Sequence, residues 1–190
     1  RGNQSEIKAI YDALSPNNQA DTSTTGKGVD GGQIEDSAVI AYRLARLINC
    51  PVVATGEEDY VSDGTRVFAV PHGHPIMAAV TGTGCLLGAV LAAFFSAYYP
   101  CKNRLSIGEF LAYALAYYGL AGESAVQVSG VKPGSFSTAF MDSLYTLDDA
   151  VLMSENHIRP VVVPDQLQVY FISGTQDVEL NENRLLSIVE

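Results

Sequence analysis

Residues 80–94, VTGTGCLLGAVLAAF, form a glycine-broken turn that runs directly into an apolar helix, with Cys85 at the junction. Glycines at 82 and 84 let the backbone turn tightly, so the N–H groups of the turn and of the first helical residues converge on one point. Such a point suits an anion. A phosphoryl group in transfer spreads its charge over the equatorial oxygens, and donors already arranged at a helix N-terminus meet that charge without reorganisation. On this basis Gly82, Thr83 and Gly84 are an expected anion hole. The same field lowers a thiol pKa and would let Cys85 accept a proton from a substrate hydroxyl. The plainer alternative is that TGTG only permits close packing of helix on strand, with Cys85 a small buried residue; spacing alone leaves both open.

The rest of the chain supplies the setting. With 190 residues, 47% of them hydrophobic, it can bury one substantial core but not two large ones. A formal net charge of −10 excludes the basic surface that nucleic acid binding requires. Cys50, Cys85 and Cys101 are odd in number and widely spaced with no CxxC. That pattern argues against a disulfide framework or a zinc site and for a reducing, cytoplasmic setting. The apolar runs at 86–97 and 110–121 are broken by Gly88, Ser96, Tyr117 and Gly119 and are too short to span a bilayer, so no membrane partner is expected. The chain opens on Arg1 rather than methionine and reads as part of a longer one.

SEIKAIYDAL places Ile7, Ile10, Tyr11 and Leu14 at helical spacing behind Ser5, an expected N-cap. Residues 15–33 are rich in Ser, Thr, Asn, Asp and Gly and predict a long loop; IEDSAVIAYRLARLI then resumes helical spacing. CPVVATG predicts a strand, and EDYVSDG with TRVFAVP predicts a hairpin turning at Asp63–Gly64. Three helices follow, over TGCLLGAVLAAFFSAYY, IGEFLAYALAYYGLAGESAVQV and SFSTAFMDSLYTL. Alternation of buried strands with helices predicts an α/β layered domain, and such domains bind ligands where strand ends meet helix N-termini. Residues 149–164, with two prolines in HIRPVVVPDQ, read as a linker; LQVYFISGTQD predicts a further strand and NENRLLSIVE the start of a helix.

Other candidate groups are weaker. No GxxxxGK[ST] P-loop is present, and Lys27 in TTGKG reads as a solvated loop lysine. Thr55–Gly56 ends a strand where a nucleotide can be met, although Thr-Gly also closes strands for backbone reasons alone. Arg1 can pair with phosphate and Glu6 can hold Mg²⁺, or Glu6 is simply an ordinary first-turn acid. His72 and His74 form an HxH with no third ligand near in sequence, which favours a loop role over a metal site. The tyrosine-rich stretch 112–118 reads as core packing.

Taken together and in order, RGNQSEI, GKGVD, VVATGEEDYVSDG, HGHPIMAAVTGTGCLLGAVLAAF and KPGSFSTAFMDSLY closely resemble the C-terminal part of hydroxyethylthiazole kinases, over residues 1–148. The resemblance implies a ribokinase-like three-layer αβα domain, incomplete at its N-terminus. It implies ATP-dependent phosphorylation of the hydroxyl of 4-methyl-5-(2-hydroxyethyl)thiazole in thiamine salvage, with Mg²⁺, by a homotrimer whose active sites lie at subunit interfaces. Arg1 and Thr55 would contact ATP, Gly82 would line the thiazole site and Glu6 would lie near the metal. Cys85 stands where related sugar kinases carry a catalytic aspartate. The family's N-terminal part supplies the remaining pocket wall and an acidic stretch near the metal, so residues 1–148 alone are expected to be inactive. Two positions depart from the family pattern: Gly31 replaces a serine and His72 a common asparagine. Residues 165–190 resemble the opening strand and helix of thiamine-phosphate synthase, a (β/α)₈ barrel, which implies a fusion. The competing readings are another ribokinase-like kinase, such as one acting on hydroxymethylpyrimidine, and a non-catalytic oligomerisation module.

Overall fold

The computed structural model describes residues 1–15, 34–164 and 166. The elements run β1 (Gly2–Asn3), α1 (Gln4–Leu14), α2 (Ile34–Ile48), β2 (Val52–Thr55), β3 (Asp59–Ser62), β4 (Val67–Val70), α3 (Ile76–Ala79), α4 (Thr83–Ala97), a 3₁₀ turn (Tyr99–Cys101), α5 (Ile107–Ser129), α6 (Pro133–Thr146), α7 (Asp149–Glu155) and β5 (Arg159–Val161). The sheet keeps this order, β1-β2-β3-β4-β5, with β1 parallel to β2 and every other pair antiparallel.

Period-two alternation along β2–β4 divides the interior into two cores. Val53, Val61, Phe68 and Val70 point into one, shared with α4, α5 and α6. Val52, Ala54, Tyr60, Val67 and Ala69 point into the other, shared with Ile7 of α1 and with Ala38, Ala41 and Leu44 of α2. Helices therefore cover both faces of the sheet, and the domain is α/β with three layers, as expected. Because neither face meets water, VVAT and VFAV read as unbroken apolar runs even though their pairing is antiparallel.

Several local expectations are corrected. The N-cap of α1 is Asn3, not Ser5: Glu6 N–H donates to Asn3 Oδ1 at 2.8 Å, while Asn3 N–H donates to Glu6 Oε2 at 2.7 Å, completing a capping box. Asn3 wins because it leaves β1 with extended backbone, whereas Ser5 already lies inside the helix and donates its hydroxyl to Asn3 Oδ1. The hairpin turns at Asp63–Gly64 as expected, but through four residues, since Ser62 pairs with Val67. Asp63 Oδ1 organises that turn by accepting from the N–H groups of Thr65 (2.9 Å) and Arg66 (2.8 Å). Residues 149–164, expected to be a linker, carry α7 and β5 instead. β5 pairs with β4, Val163 is buried, and Arg159 bonds both carboxylate oxygens of Glu58. Pro160 misled the reading: a proline is tolerated in an edge strand. The strand and helix expected beyond Gln166 lie outside the described residues. Among the described residues no helix is long and apolar enough to cross a membrane.

α5 is the central helix of the larger core, with Leu111, Leu115, Tyr118, Ala121 and Ala125 buried. Two of its glycines meet the segment between β4 and α4 closely; at Gly119 the contact is with His72 Cβ and backbone and excludes a side chain, and at Gly122 it is with the Met77 thioether. A Cβ on Gly119 would stand 2.5 Å from His72 Cβ and 2.7 Å from its carbonyl carbon; one on Gly122 would stand 2.5 Å from Met77 Sδ. Gly119→Ala should therefore force backbone apart and lower Tm by roughly 3–10 °C, whereas Gly134→Ala in α6 should be neutral or slightly stabilising. Nothing lies within 4 Å of a Cβ built on Gly134. Thermal unfolding of the two variants side by side checks this, and equal Tm values would remove the close-approach argument.

Candidate active site

A cleft of about 700 Å³ opens where the C-terminal ends of β1 and β2 meet the N-terminus of α4. Arg1, Thr55, Asp59, Thr83, Gly84 and Tyr118 are among its lining residues, with Met77, Leu87 and Leu115 supplying apolar wall. Four residues expected to act together, Arg1, Thr55, Thr83 and Gly84, are thus brought to one place from three separate segments. Gly82 and Cys85, exposed in the same turn, are not in the lining. Glu6 is not in it either; it stands beside Asn3, which is, with one carboxylate oxygen taken by the capping box.

The turn is built for ligand contact in a particular way. Gly82 adopts the left-handed conformation, φ 97°, and Leu86 N–H closes onto its carbonyl at 2.8 Å. Thr83 faces inward: its hydroxyl reaches the carbonyls of Met77 (2.7 Å) and Val80 (3.1 Å), and its N–H also points to Val80. Thr83 therefore anchors the turn rather than supplying an anion donor through its side chain. Unlike α1, α5 and α7, helix α4 has no side-chain cap. Its remaining first-turn N–H groups, those of Gly84 and Cys85, are left for a ligand.

Arg1 lies against this helix end. A Cβ on Gly84 would be 3.2 Å from an Arg1 guanidinium nitrogen, and one on Gly88, a turn further on, 3.9 Å from Nε. The two glycines at i and i+4 make a smooth track for the guanidinium. A cation beside the positive end of a helix dipole is unfavourable unless an anion joins them, so the pairing itself indicates an anion site. Thr55 sits opposite, its hydroxyl donating to the Gly2 carbonyl at 3.3 Å and so tying the end of β2 to β1.

Asp59 is a cleft carboxyl that sequence reasoning passed over. Its Oδ1 accepts from Gly56 N–H at 2.9 Å, bracing the turn after β2. Burial raises its pKa to about 6, against the lowering effects of the Gly56 bond and of Arg1. The only signal in the sequence was an acid one residue ahead of an apolar strand run, which is too common to single it out.

The HxH residues divide. His74 Nδ1 accepts from Ile76 N–H at 3.2 Å at the start of α3, while His72 Nδ1 pairs with Glu123 Oε1 at 3.1 Å. The same Glu123 oxygen accepts from Gly73 N–H at 2.8 Å, fastening the loop to α5. Among the described residues no three His, Cys, Asp or Glu side chains are grouped to hold a metal ion.

The fold and the cleft together define a class: an α/β domain whose cleft holds an arginine beside an uncapped, glycine-preceded helix N-terminus. The particular family is then given by sequence. The profile of the hydroxyethylthiazole kinase family matches residues 1–150, and the chain belongs to that family. It is 42% identical over 157 residues to a hydroxyethylthiazole kinase of Tolumonas auensis, covering 82% of this chain and 53% of that protein. It is 40% identical over 150 residues to one of Halalkalibacterium halodurans, covering 78% of this chain and 52% of that protein. The solved structure of hydroxyethylthiazole kinase protein from Pyrococcus horikoshii superposes with a TM-score of 0.67 at 30% identity, over 85% of this chain and 54% of that one. The chain thus spans about half the length of the relatives it matches.

The raised pKa of Asp59 has a consequence with a definite sign. The folded protein holds that proton more tightly than the unfolded chain, whose carboxyl keeps the ordinary value of 3.8. Its contribution to stability is full below pH 4 and is lost as pH rises to about 6.5. Allowing for solvent at the cleft mouth, the loss should be about 2 kcal/mol. Urea unfolding from pH 4 to 7 should show the stability of the wild type relative to Asp59→Asn declining across this window; a flat difference rules the shift out.

Proposed function

We propose that this chain carries the nucleotide side of an ATP-dependent kinase that phosphorylates the hydroxyl of 4-methyl-5-(2-hydroxyethyl)thiazole in thiamine salvage. The observation that carries the reading is the convergence of Arg1 and Thr55 on the uncapped N-terminus of α4, in a chain of the hydroxyethylthiazole kinase family. ATP lies in the cleft, its polyphosphate against Arg1 and the Gly84 and Cys85 N–H groups, its less polar part against Met77, Leu87 and Leu115. The alcohol approaches from the outer side of the turn, where Gly82 and Cys85 are exposed. Its oxygen attacks the terminal phosphorus, the bond to the bridging oxygen of ADP breaks, and Cys85 takes the hydroxyl proton or holds the alcohol in line. A loose transition state needs little help from a base, so positioning is the larger part of the work.

Mg²⁺, when bound, neutralises phosphate charge; it asks the protein for only one or two carboxylates, its other ligands being phosphate and water. Glu6, which keeps one oxygen outside the capping box, is the residue we assign to it.

A homotrimer is supported by α4 itself. Only Leu87 and Leu91 of this apolar helix are buried, while Cys85, Ala89, Ala92, Ala93 and Phe95 share an exposed stretch that calls for a covering partner. A second copy seated there would close the alcohol's side of the turn. The absence of membrane-spanning helices among the described residues and the three spaced cysteines agree with a cytoplasmic enzyme. A fusion to a thiamine-phosphate synthase rests on the resemblance of residues 165–190, and it would place the consumer of the thiazole phosphate on the same chain.

The test is ATP-dependent phosphorylation by the full-length protein across a panel of vitamin-precursor alcohols that includes hydroxymethylpyrimidine. The thiazole alcohol should be the preferred acceptor. Cys85→Ala should lower kcat by about a hundredfold while leaving nucleotide affinity within about twofold. An unchanged kcat would remove Cys85 from the chemistry, and preference for the pyrimidine would reassign the substrate.

A further inference from the structure

Tyr118, read from sequence as core packing, has its phenol oxygen in the machinery of the turn. The hydroxyl donates to the Thr83 carbonyl at 2.5 Å. Thr83 is the first residue of α4, and its carbonyl is the i−4 acceptor for Leu87 N–H, one residue on from the Leu86–Gly82 bond that opens the helix. That same N–H also bears on the phenol oxygen, as does the charge of Arg1. Burial pushes the hydroxyl well above the ordinary tyrosine range, against the opposing pull of Arg1 and Leu87, so it stays protonated and remains a donor. The ring is held edge-on to Phe140 at 4.9 Å between centroids, and Phe140 stacks on the fully buried Phe136. The donor is therefore mounted on the best-packed part of the core.

The carbonyl it grips matters because a peptide unit is rigid and planar, with C=O and N–H pointing in opposite directions. The Thr83 carbonyl and the Gly84 N–H are two ends of one such unit. Fixing the first aims the second. The Thr83 hydroxyl anchors the residue from its N-terminal side, through Met77 and Val80; on the carbonyl side Tyr118 adds a side-chain donor where Gly84 has no side chain to lock the backbone and no side chain caps the helix.

We propose that Tyr118 is a positioning residue for phosphoryl transfer, its hydroxyl holding the Thr83–Gly84 peptide so that the Gly84 N–H stays aimed at the transferring group. This rests on the reading that the N-terminus of α4 meets that group. Donors fixed in advance act on the charge distribution of the transition state more than on the bound ground state, so the loss should fall on turnover.

Tyr118→Phe removes one oxygen and keeps the ring against Phe140. In the full-length protein it should lower kcat by roughly tenfold to a hundredfold with the KM for ATP changed by less than about threefold. Equilibrium binding supplies a readout independent of the alcohol: the variant should bind ADP with Mg²⁺ and aluminium fluoride at least about tenfold more weakly than the wild type, and ADP alone within about twofold. Val61→Ala, on β3 in the same core, is the packing control; it should lower Tm and leave kcat, measured well below that Tm, within about twofold. Retention of kcat and of fluoride-complex affinity in Tyr118→Phe would overturn the proposal. So would an equal loss for ADP and for the fluoride complex, which is what a general packing role produces. If the wild type fails to phosphorylate the thiazole while Tyr118→Phe still loses the fluoride complex selectively, the substrate assignment falls and the role of Tyr118 stands.

Discussion

Everything at the cleft depends on how closely the segment between β4 and α4 can approach α5. Gly119 and Gly122 remove the side chains that would hold it off, at distances where a single added carbon meets backbone or sulfur at 2.5–2.7 Å. Around those gaps α5 supplies the fastenings: Glu123 to His72 and Gly73, and Tyr118 to Thr83. Four residues of one helix thus set where the glycine turn lies relative to the ends of β1 and β2. Interiors pack as densely as crystals, so a displacement here passes to the turn rather than being absorbed.

The electrostatics follow from that placement. Arg1 crosses the N-terminal end of α4 over two glycines, which sets a full positive charge beside the positive pole of the helix. Asp59 and Glu57 line the same cleft, and with a pKa of about 6 Asp59 is largely ionised at neutral pH and opposes the cation. The protein as a whole is acidic, with a formal net charge of −10, so the positive charge of Arg1 and of the helix end is a local feature of the cleft.

Much of this was legible from residue order. TGTG ahead of an apolar run announced a turn and a helix start, and DG between β-branched runs announced the hairpin; both signals are local, because they arise from backbone conformations that glycine alone adopts freely. The N-cap shifted from Ser5 to Asn3 because a two-residue strand, formed only by pairing with β2, leaves Asn3 extended at the helix entrance. The segment 149–164 looked like a linker because its content as an edge strand depends on β4 being open beside it. Asp59 and Tyr118 gave no signal, since their importance lies in partners that are distant in the chain or in burial, neither of which has a spacing rule.

By itself, then, the sequence determined the class of fold and the family, because glycine placement, apolar periodicity and motif order are properties of neighbouring residues. The tertiary structure alone decided which of those groups share a cleft. It put Arg1, Thr55, Asp59 and Gly84 together, turned the Thr83 hydroxyl inward and left Cys85 and Gly82 outside the cleft lining. The reason is physical: which residues share the cleft is set by contacts across the sheet and against α5, between residues that the chain brings from 35 to more than 80 positions apart.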